Sequence, residues 1–309
     1  MPRKILLDCD PGHDDAVALL LAHGSPEIEL LAVTTVAGNQ TLEKVTRNAL
    51  AVATVAGLEG TVVAAGCDRP LVTGAVLTDP ETHGASGLDG PLLPEPAVPH
   101  DPRHGVDVIV ETVLAAEPGT LTLVPTGPLT NIALYLEAHG TANMERIVLM
   151  GGAIAEGNMT PAAEFNIWAD PEAAHRVFHS SIETTMIGLD VTHRALMYDE
   201  DAERLRGAGR VGRLVAELYD FFHLYHQRQY KLSGSPIHDA VAVAHVIRDD
   251  LVETKHRYVT VDTGPELSRG RTYVDIWERT DNEPNCHVGT DVDGRAFIEF
   301  LIERLASLG

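Results

Sequence analysis

Four aspartates lie within eight residues near the start of the chain, in Asp8-Cys9-Asp10-Pro11-Gly12-His13-Asp14-Asp15. The apolar run Lys4-Ile5-Leu6-Leu7 precedes them, and a second apolar run, 16–22, follows them. Carboxylates this close repel one another unless a cation lies among them. Because the flanking runs indicate a buried strand and an apolar helix, a solvated acidic loop does not explain the group. The pattern predicts a hard metal ion bound through oxygen, and therefore an enzyme.

An acidic turn that caps a helix is the alternative explanation for this segment. Acidic side chains favour a helix start because they interact well with the helix dipole, and Gly12 permits a tight turn there. This explanation accounts for Asp14 and Asp15 at the helix start, but it does not explain Asp8 and Asp10.

Composition and charge narrow the class of protein. Of the 309 residues 44% are hydrophobic, and we expect one α/β domain over 1–309. The net charge of −22 repels nucleic acid and anionic membranes, so neither is expected as a partner. Three cysteines without motif spacing argue against a disulfide scaffold or a zinc site and fit a reducing cytoplasm. We expect no signal peptide, since strand residues begin at Lys4, and no membrane-spanning segment.

Short apolar runs alternate with helical stretches along most of the chain. The expected strands cover 4–7, 30–36, 61–65, 121–124, 146–150 and 183–187, and the expected helices cover 16–22, 41–55, 106–116, 129–138, 171–178 and 294–305. The region 199–250 is expected to be mostly helical, 256–288 to form short strands, and the Pro/Gly-rich stretch 66–102 to be a long loop. This alternation predicts a central, mainly parallel sheet flanked by helices, with a Rossmann-like core.

Small and polar residues follow the strands, at the edge where such sheets bind ligands. After the expected strands come the aspartate cluster, Ala37-Gly38-Asn39, Pro125-Thr126-Gly127-Pro128, Gly151-Gly152 and Gly188-Leu189-Asp190. Their repetition at one edge of the sheet predicts a binding pocket there.

Further motifs carry donors and acceptors, although each also has a purely structural explanation. The Thr126 carbonyl is a possible Ca²⁺ ligand or part of a plain turn. The loop from Asn158 to Asp170 offers amides and acids suited to sugar hydroxyls. His238-Asp239 opens an apolar helix, where Asp could simply be an N-cap, and His83 could be a solvated loop residue.

Together these motifs resemble the inosine-uridine-preferring nucleoside hydrolases, which cleave the N-glycosidic bond of ribonucleosides. The resemblance covers essentially the whole chain. It rests on D-x-D-P-G-x-D-D with Asp8, Asp10, Asp14 and Asp15, on Gly38-Asn39, the His83 loop, Pro125-Thr126-Gly127-Pro128, Asn158 through Asn166, and His238-Asp239. It implies a nucleoside hydrolase-like fold and a homo-oligomer, tetramer or dimer, that acts on a small-molecule nucleoside.

The resemblance also implies a Ca²⁺ ion held by Asp10, Asp15, the Thr126 carbonyl and Asp239, with the ribose 2′- and 3′-hydroxyls and one water. Asp10 would be the general base that takes a proton from this water, and Asn39 would orient it. Positive charge that develops on the ribosyl group would be stabilised by the surrounding carboxylates.

The remaining implied roles concern the substrate. Asp14 and Asn166 would bind the 2′- and 3′-hydroxyls, Asn158 and Glu164 the 5′-hydroxyl, and His238 and His83 would lie near the base. Within 225–230, Tyr230 is the first candidate for contact with the base, and His226 or Gln227 the second.

His238 before Asp239 resembles the branch of the family that takes pyrimidine nucleosides and inosine, so we expect uridine, cytidine and inosine as substrates. Two alternatives stay open from the sequence. The chain could hydrolyse a modified ribosyl substrate, or it could bind ribose without turning it over.

Overall fold

The computed structural model describes residues 2–265 and 267–309. The strands are β1 (Arg3–Cys9), β2 (Ile28–Thr35), β3 (Val62–Ala65), β4 (Leu121–Pro125), β5 (Met144–Met150), β6 (Thr184–Ile187), β7 (Leu196–Met197), β8 (Ser235–Pro236), β9 (Val252–Arg257), β10 (Val259–Val261), β11 (Thr272–Val274) and β12 (Cys286–Val292). The helices are α1 (His13–His23), α2 (Leu42–Ala56), α3 (Pro80–His83), α4 (Gly105–Ala115), α5 (Thr130–His139), α6 (Phe165–Ala169), α7 (Pro171–Phe178), α8 (Leu189–Thr192), α9 (Asp199–Arg206), α10 (Gly209–Tyr230), α11 (His238–Ile247) and α12 (Gly294–Ala306), with a 3₁₀ turn at Asp249–Leu251.

Eight strands form the central sheet in the order β3-β2-β1-β4-β5-β6-β12-β9. The strands from β3 to β12 pair in parallel, and β9 pairs antiparallel with β12 at one edge. The predicted fold class, a mainly parallel sheet flanked by helices, is therefore confirmed. Two antiparallel pairs, β10–β11 and β7–β8, lie outside this sheet.

Helices cover both faces of the sheet, and two apolar cores result. Successive residues of a strand point to opposite faces, so Ile5 and Leu7 of β1 join one core while Leu6 joins the other. The first core includes α1, α10, α11 and α12, and the second includes α4, α5 and α7. Because β1 is buried on both faces, it reads as a continuous apolar run rather than an alternating one.

The expected elements occur with ends shifted by a few residues, and two regions differ from expectation. The expected loop 66–102 contains the one-turn helix α3, because Pro80 suits its first turn and the Asp79 side chain accepts a hydrogen bond from the Thr82 N–H. The expected helical region 199–250 is interrupted after α10. Lys231 has a left-handed φ of 58°, and the short strand β8 follows.

No helix in the described part of the chain combines the length and the apolar character that are needed to cross a membrane.

Candidate active site

A cavity of about 900 Å³ opens at the carboxyl ends of the sheet strands. It brings together ten of the predicted site residues: Asp14, Asn39, His83, Thr126, Asn158, Glu164, Asn166, Tyr230, His238 and Asp239. The other two, Asp10 and Asp15, are not part of the cavity wall and have no exposed surface. Residues far apart in sequence converge because parallel strands deliver their following loops to the same edge.

Three carboxylates meet at the floor of the cavity. Asp14 and Asp15 come from the first turn of α1, and Asp239 comes from the first turn of α11, and one oxygen of each lies within 4.8 Å of the others. The group therefore contains Asp14, which the predicted metal ligands omitted, and it does not contain Asp10.

Asp10 lies beside this group, at the end of β1. Its backbone N–H donates to Oδ1 of Asp15 at 3.2 Å, and its own Oδ2 accepts from the Asn39 N–H at 2.6 Å. Its other oxygen, Oδ1, is buried and has no hydrogen-bond partner among the described residues. Glycines leave room for this carboxylate, since a Cβ on Gly38 would lie 2.1 Å from Oδ2 and one on Gly127 would lie 2.6 Å from Oδ1.

Burial of these acids disfavours their charged forms. Burial, followed by the negative charge of Asp15, raises the pKa of Asp14 to about 8 and raises the pKa of Asp10 well above its ordinary value. Burial, followed by the charges of Asp14 and Asp15, also raises the pKa of Asp239. A cation among these groups would stabilise the charged forms and reverse the shifts.

The donor set fits a metal ion. It consists of carboxylate oxygens, one of them on Asp10 without a partner, and of the nearby Thr126 carbonyl. The Thr126 hydroxyl donates to Asp15 at 2.9 Å, and its carbonyl accepts from Asn166 Nδ2 at 2.7 Å, which leaves one carbonyl lone pair free. Because every donor is an oxygen, hard cations are favoured over zinc or copper.

One wall of the cavity is built from α6 and the loop before it. Both oxygens of Glu164 accept backbone hydrogen bonds, from Gly152 at 2.9 Å, from Asn166 at 2.9 Å and from Ile167 at 3.1 Å. Burial raises the pKa of Glu164 to about 6 in spite of these bonds. Asn158 accepts from the Phe165 N–H at 2.9 Å, so this wall is held together by its own polar side chains.

Imidazoles also line the cavity. His83, His193, His226 and His238 all contribute to the wall. Burial lowers the pKa of His238 and His83 well below the usual range and that of His226 to about 4, so these rings are neutral near pH 7. The cavity therefore combines buried acids with neutral hydrogen-bonding rings.

The whole-chain comparison decides the family. The profile described as inosine-uridine preferring nucleoside hydrolase matches residues 5–299. The chain belongs to this family. The predicted resemblance is thereby confirmed, and so is the prediction of a hydrolase that acts on N-glycosyl compounds.

Similar proteins of this nucleoside hydrolase family match over nearly the full length. The pyrimidine-specific ribonucleoside hydrolase RihA of Photobacterium profundum is 47% identical over 99% of this chain and 100% of its own. The protein of the same name from Escherichia coli O9:H4 is 47% identical over 99% of each chain. Among solved structures, the purine-preferring ribonucleoside hydrolase from Gardnerella vaginalis has a TM-score of 0.93 at 33% identity, covering 99% of both chains.

Several wall residues of this nucleoside hydrolase were missed from the sequence. Asp190 and His193 line the cavity without a predicted role, and only Asp190 lies in the segment Gly188-Leu189-Asp190 that pointed to the pocket. In the segment 225–230, Tyr225, His226, Gln229 and Tyr230 line the cavity, whereas Gln227 does not. A helix turns by about 100° per residue, so these four positions share one face of α10 and Gln227 lies on the other face.

Proposed function

We propose that the chain is a Ca²⁺-dependent ribonucleoside hydrolase that prefers the pyrimidine nucleosides uridine and cytidine and accepts inosine more slowly. The observation that carries this proposal is that one cavity combines a group of buried carboxylates with neutral imidazoles. The carboxylates would stabilise the positive charge that develops on the ribose, and the imidazoles would hydrogen-bond the departing base.

Calcium is the proposed metal because the available ligands are all oxygens and Ca²⁺ accepts about six to eight of them in a flexible geometry. Asp10, Asp15, Asp239 and the Thr126 carbonyl would hold the ion, and Asp14 is close enough to join them. A bound Ca²⁺ would supply charge for the ribose diol and acidify the attacking water.

The chain's own residues would then bind the sugar and move one proton. Asp10 would accept the proton of the attacking water, and Asn39, which bonds the Asp10 carbonyl and Asp15 through Nδ2 at 3.1 Å each, would orient that water. Asp14 and Asn166 would bind the 2′- and 3′-hydroxyls, and Asn158 and Glu164 the 5′-hydroxyl. Each of these four side chains lines the cavity.

The base preference has two supports. Two relatives that are 47% identical over nearly the whole chain carry the name pyrimidine-specific ribonucleoside hydrolase. The base side of the cavity carries His83, His226, His238 and Tyr230, which can hydrogen-bond the carbonyl groups of a pyrimidine.

A nucleoside panel tests the proposal. Ribose release would be measured with uridine, cytidine, inosine, adenosine, guanosine and 5-methyluridine, before and after chelation. We expect uridine and cytidine to react fastest, chelation to abolish the activity, and added Ca²⁺ to restore it. If no nucleoside of the panel releases ribose while Ca²⁺ is bound, the proposal is contradicted. A modified ribosyl substrate or a non-catalytic ribose-binding protein would then be favoured.

The pKa of Glu164 predicts an acid limb in the pH profile. Its pKa of about 6 means that the ionised form is present above pH 6 and is lost as the pH falls through that value. Protonation weakens the charge-assisted bonds that hold Asn166 in place. We expect kcat/KM for uridine to fall below about pH 6, and Glu164→Gln to lose this limb. Glu156→Gln, at an exposed position in the same wall, is the matched control and should keep the limb.

We further propose that the enzyme is a homo-oligomer, a tetramer or dimer, and that it acts in the cytoplasm. The three buried free cysteines support a reducing compartment. Sedimentation equilibrium of the purified chain measures the oligomeric state, and a monomer at micromolar concentration would contradict the first part.

A further inference from the structure

Thr192 lies behind the cavity wall and touches one of its imidazoles. It ends α8, has no exposed surface and does not line the cavity. Its hydroxyl oxygen lies 2.7 Å from Nδ1 of His238. No role in binding or catalysis follows from the proposed function for this residue.

The contact determines which nitrogen of His238 carries the proton. Among the described residues, the Thr192 hydroxyl has no other hydrogen-bond partner, so it donates to Nδ1. A neutral ring whose Nδ1 accepts a hydrogen bond carries its proton on Nε2. Nε2 of His238 makes no bond within the described part of the chain and is not enclosed by protein, so it faces the cavity.

Other histidines contact the rings of His238 and His83. His193, the next residue after Thr192, packs edge-to-face on His238 with the ring centroids 5.6 Å apart. Nδ1 of His83, in the same group of imidazoles, lies 3.2 Å from the backbone nitrogen of His13 and 3.1 Å from Nδ1 of the His13 ring. His83 thus has two neighbours at Nδ1, whereas Nδ1 of His238 has the Thr192 hydroxyl alone.

We propose that Thr192 is a positioning residue that holds His238 with a proton on Nε2, as a hydrogen-bond donor to the departing base. This inference rests on the proposed function and names how the base is recognised: by an acceptor such as the O2 carbonyl of a pyrimidine.

The reaction balances without a proton from the imidazole. The C1′–N bond breaks, its electron pair leaves with the base, and the oxygen of water bonds to C1′ while its proton passes to Asp10. His238 Nε2–H stabilises the negative charge on the base by hydrogen bonding, and solvent then protonates the base. The products are ribose and the free base.

Thr192→Val tests the proposal because it removes the hydroxyl and keeps the shape. We expect kcat for uridine to fall about 10- to 100-fold, less than the roughly 10²–10³ that removal of an oxyanion donor costs, with KM little changed. Hydrolysis of 4-nitrophenyl β-D-riboside should stay within about 3-fold, because nitrophenolate leaves without help from a donor. Thr192→Ser should restore uridine turnover.

Thr184→Val is the matched control, since Thr184 is equally buried but its hydroxyl donates only to the Ile182 carbonyl. This variant should leave kcat unchanged for both substrates. An equal loss with both substrates in Thr192→Val would show a merely structural role, and unchanged uridine turnover would overturn the proposal outright.

A second measurement does not depend on turnover. Nitrogen-15 NMR of the histidine-labelled protein reports which ring nitrogen of His238 is protonated. We expect the Nε2–H form in the wild type, and a mixture of both forms in Thr192→Val. An Nδ1–H form in the wild type would overturn the proposal even if uridine is hydrolysed, whereas absence of uridine hydrolysis with the Nε2–H form would count against the proposed function alone.

Discussion

Replacing Asp10 with asparagine is expected to lower kcat for uridine by about 10³-fold, within the roughly 10²–10⁴ that a general base supplies. The amide cannot accept the proton of the attacking water, and it weakens a ligand set built from charged oxygens. Its fold should survive, because the change removes a buried charge next to Asp15 rather than adding one. Asp10→Ala should lose most activity as well.

Asp8→Asn is the matched control for this prediction. Asp8 lies two residues earlier, in β1, and is equally buried with one unpartnered oxygen. Its Oδ1 accepts from Thr34 at 2.6 Å and from Asn131 at 2.8 Å, neither of which lines the cavity, whereas Asp10 bonds Asn39 and Asp15 of the site. We expect it to keep kcat within about tenfold of the wild type. The measurements are steady-state kinetics and thermal unfolding of each variant. Full turnover by Asp10→Asn would remove Asp10 from both the metal and the base assignments.

The second large effect concerns the sugar. We expect 2′-deoxyuridine to be hydrolysed about 10⁴-fold less efficiently than uridine, in kcat/KM. Asp14 and Asn166 are almost fully buried polar groups at the cavity floor, with 7% and 5% of their surface exposed. A substrate that lacks a hydroxyl leaves such groups unpaired, and sites of this kind reject the analogue by about 10⁴–10⁵.

Asn166→Ala determines which hydroxyl each group binds. Asn166 Nδ2 is already used by the Thr126 and Met150 carbonyls, at 2.7 and 3.2 Å, so Oδ1 is the atom left for the ribose. The variant should react more slowly with uridine but lose discrimination against either 2′-deoxyuridine or 3′-deoxyuridine, and not against both. Asn158→Ala, on the 5′ side, should keep both discrimination factors. Unchanged factors in Asn166→Ala would exclude contact with the diol.

Local patterns in the sequence were enough to predict the architecture of the fold. Apolar strands such as β1 and helices such as α7 are readable because a strand buried on both faces and a helix with one apolar face each leave a distinct periodicity. The position of the site was readable too, since parallel strands end at one edge and Asp14, Asn39 and Thr126 each follow a strand. The single domain over 1–309 stays a prediction.

Details that depend on distances between segments remote in the chain could not be predicted from the sequence. The convergence of Asp14 and Asp15 with Asp239 depends on how α1 packs against α11. The short helix α3, which places His83 in the cavity wall, depends on one Asp79 cap inside a stretch that otherwise has loop composition.

The sequence by itself determined the fold class, the family and the acidic character of the site, because these follow from periodicity and from one dense motif near the amino terminus. Only the tertiary structure decided which atom of each side chain is free. Asp10 keeps an unpartnered oxygen, and His238 presents Nε2 because Thr192 occupies Nδ1. Such choices depend on hydrogen bonds between residues 46 positions apart in this last case, and the order of residues alone does not specify them.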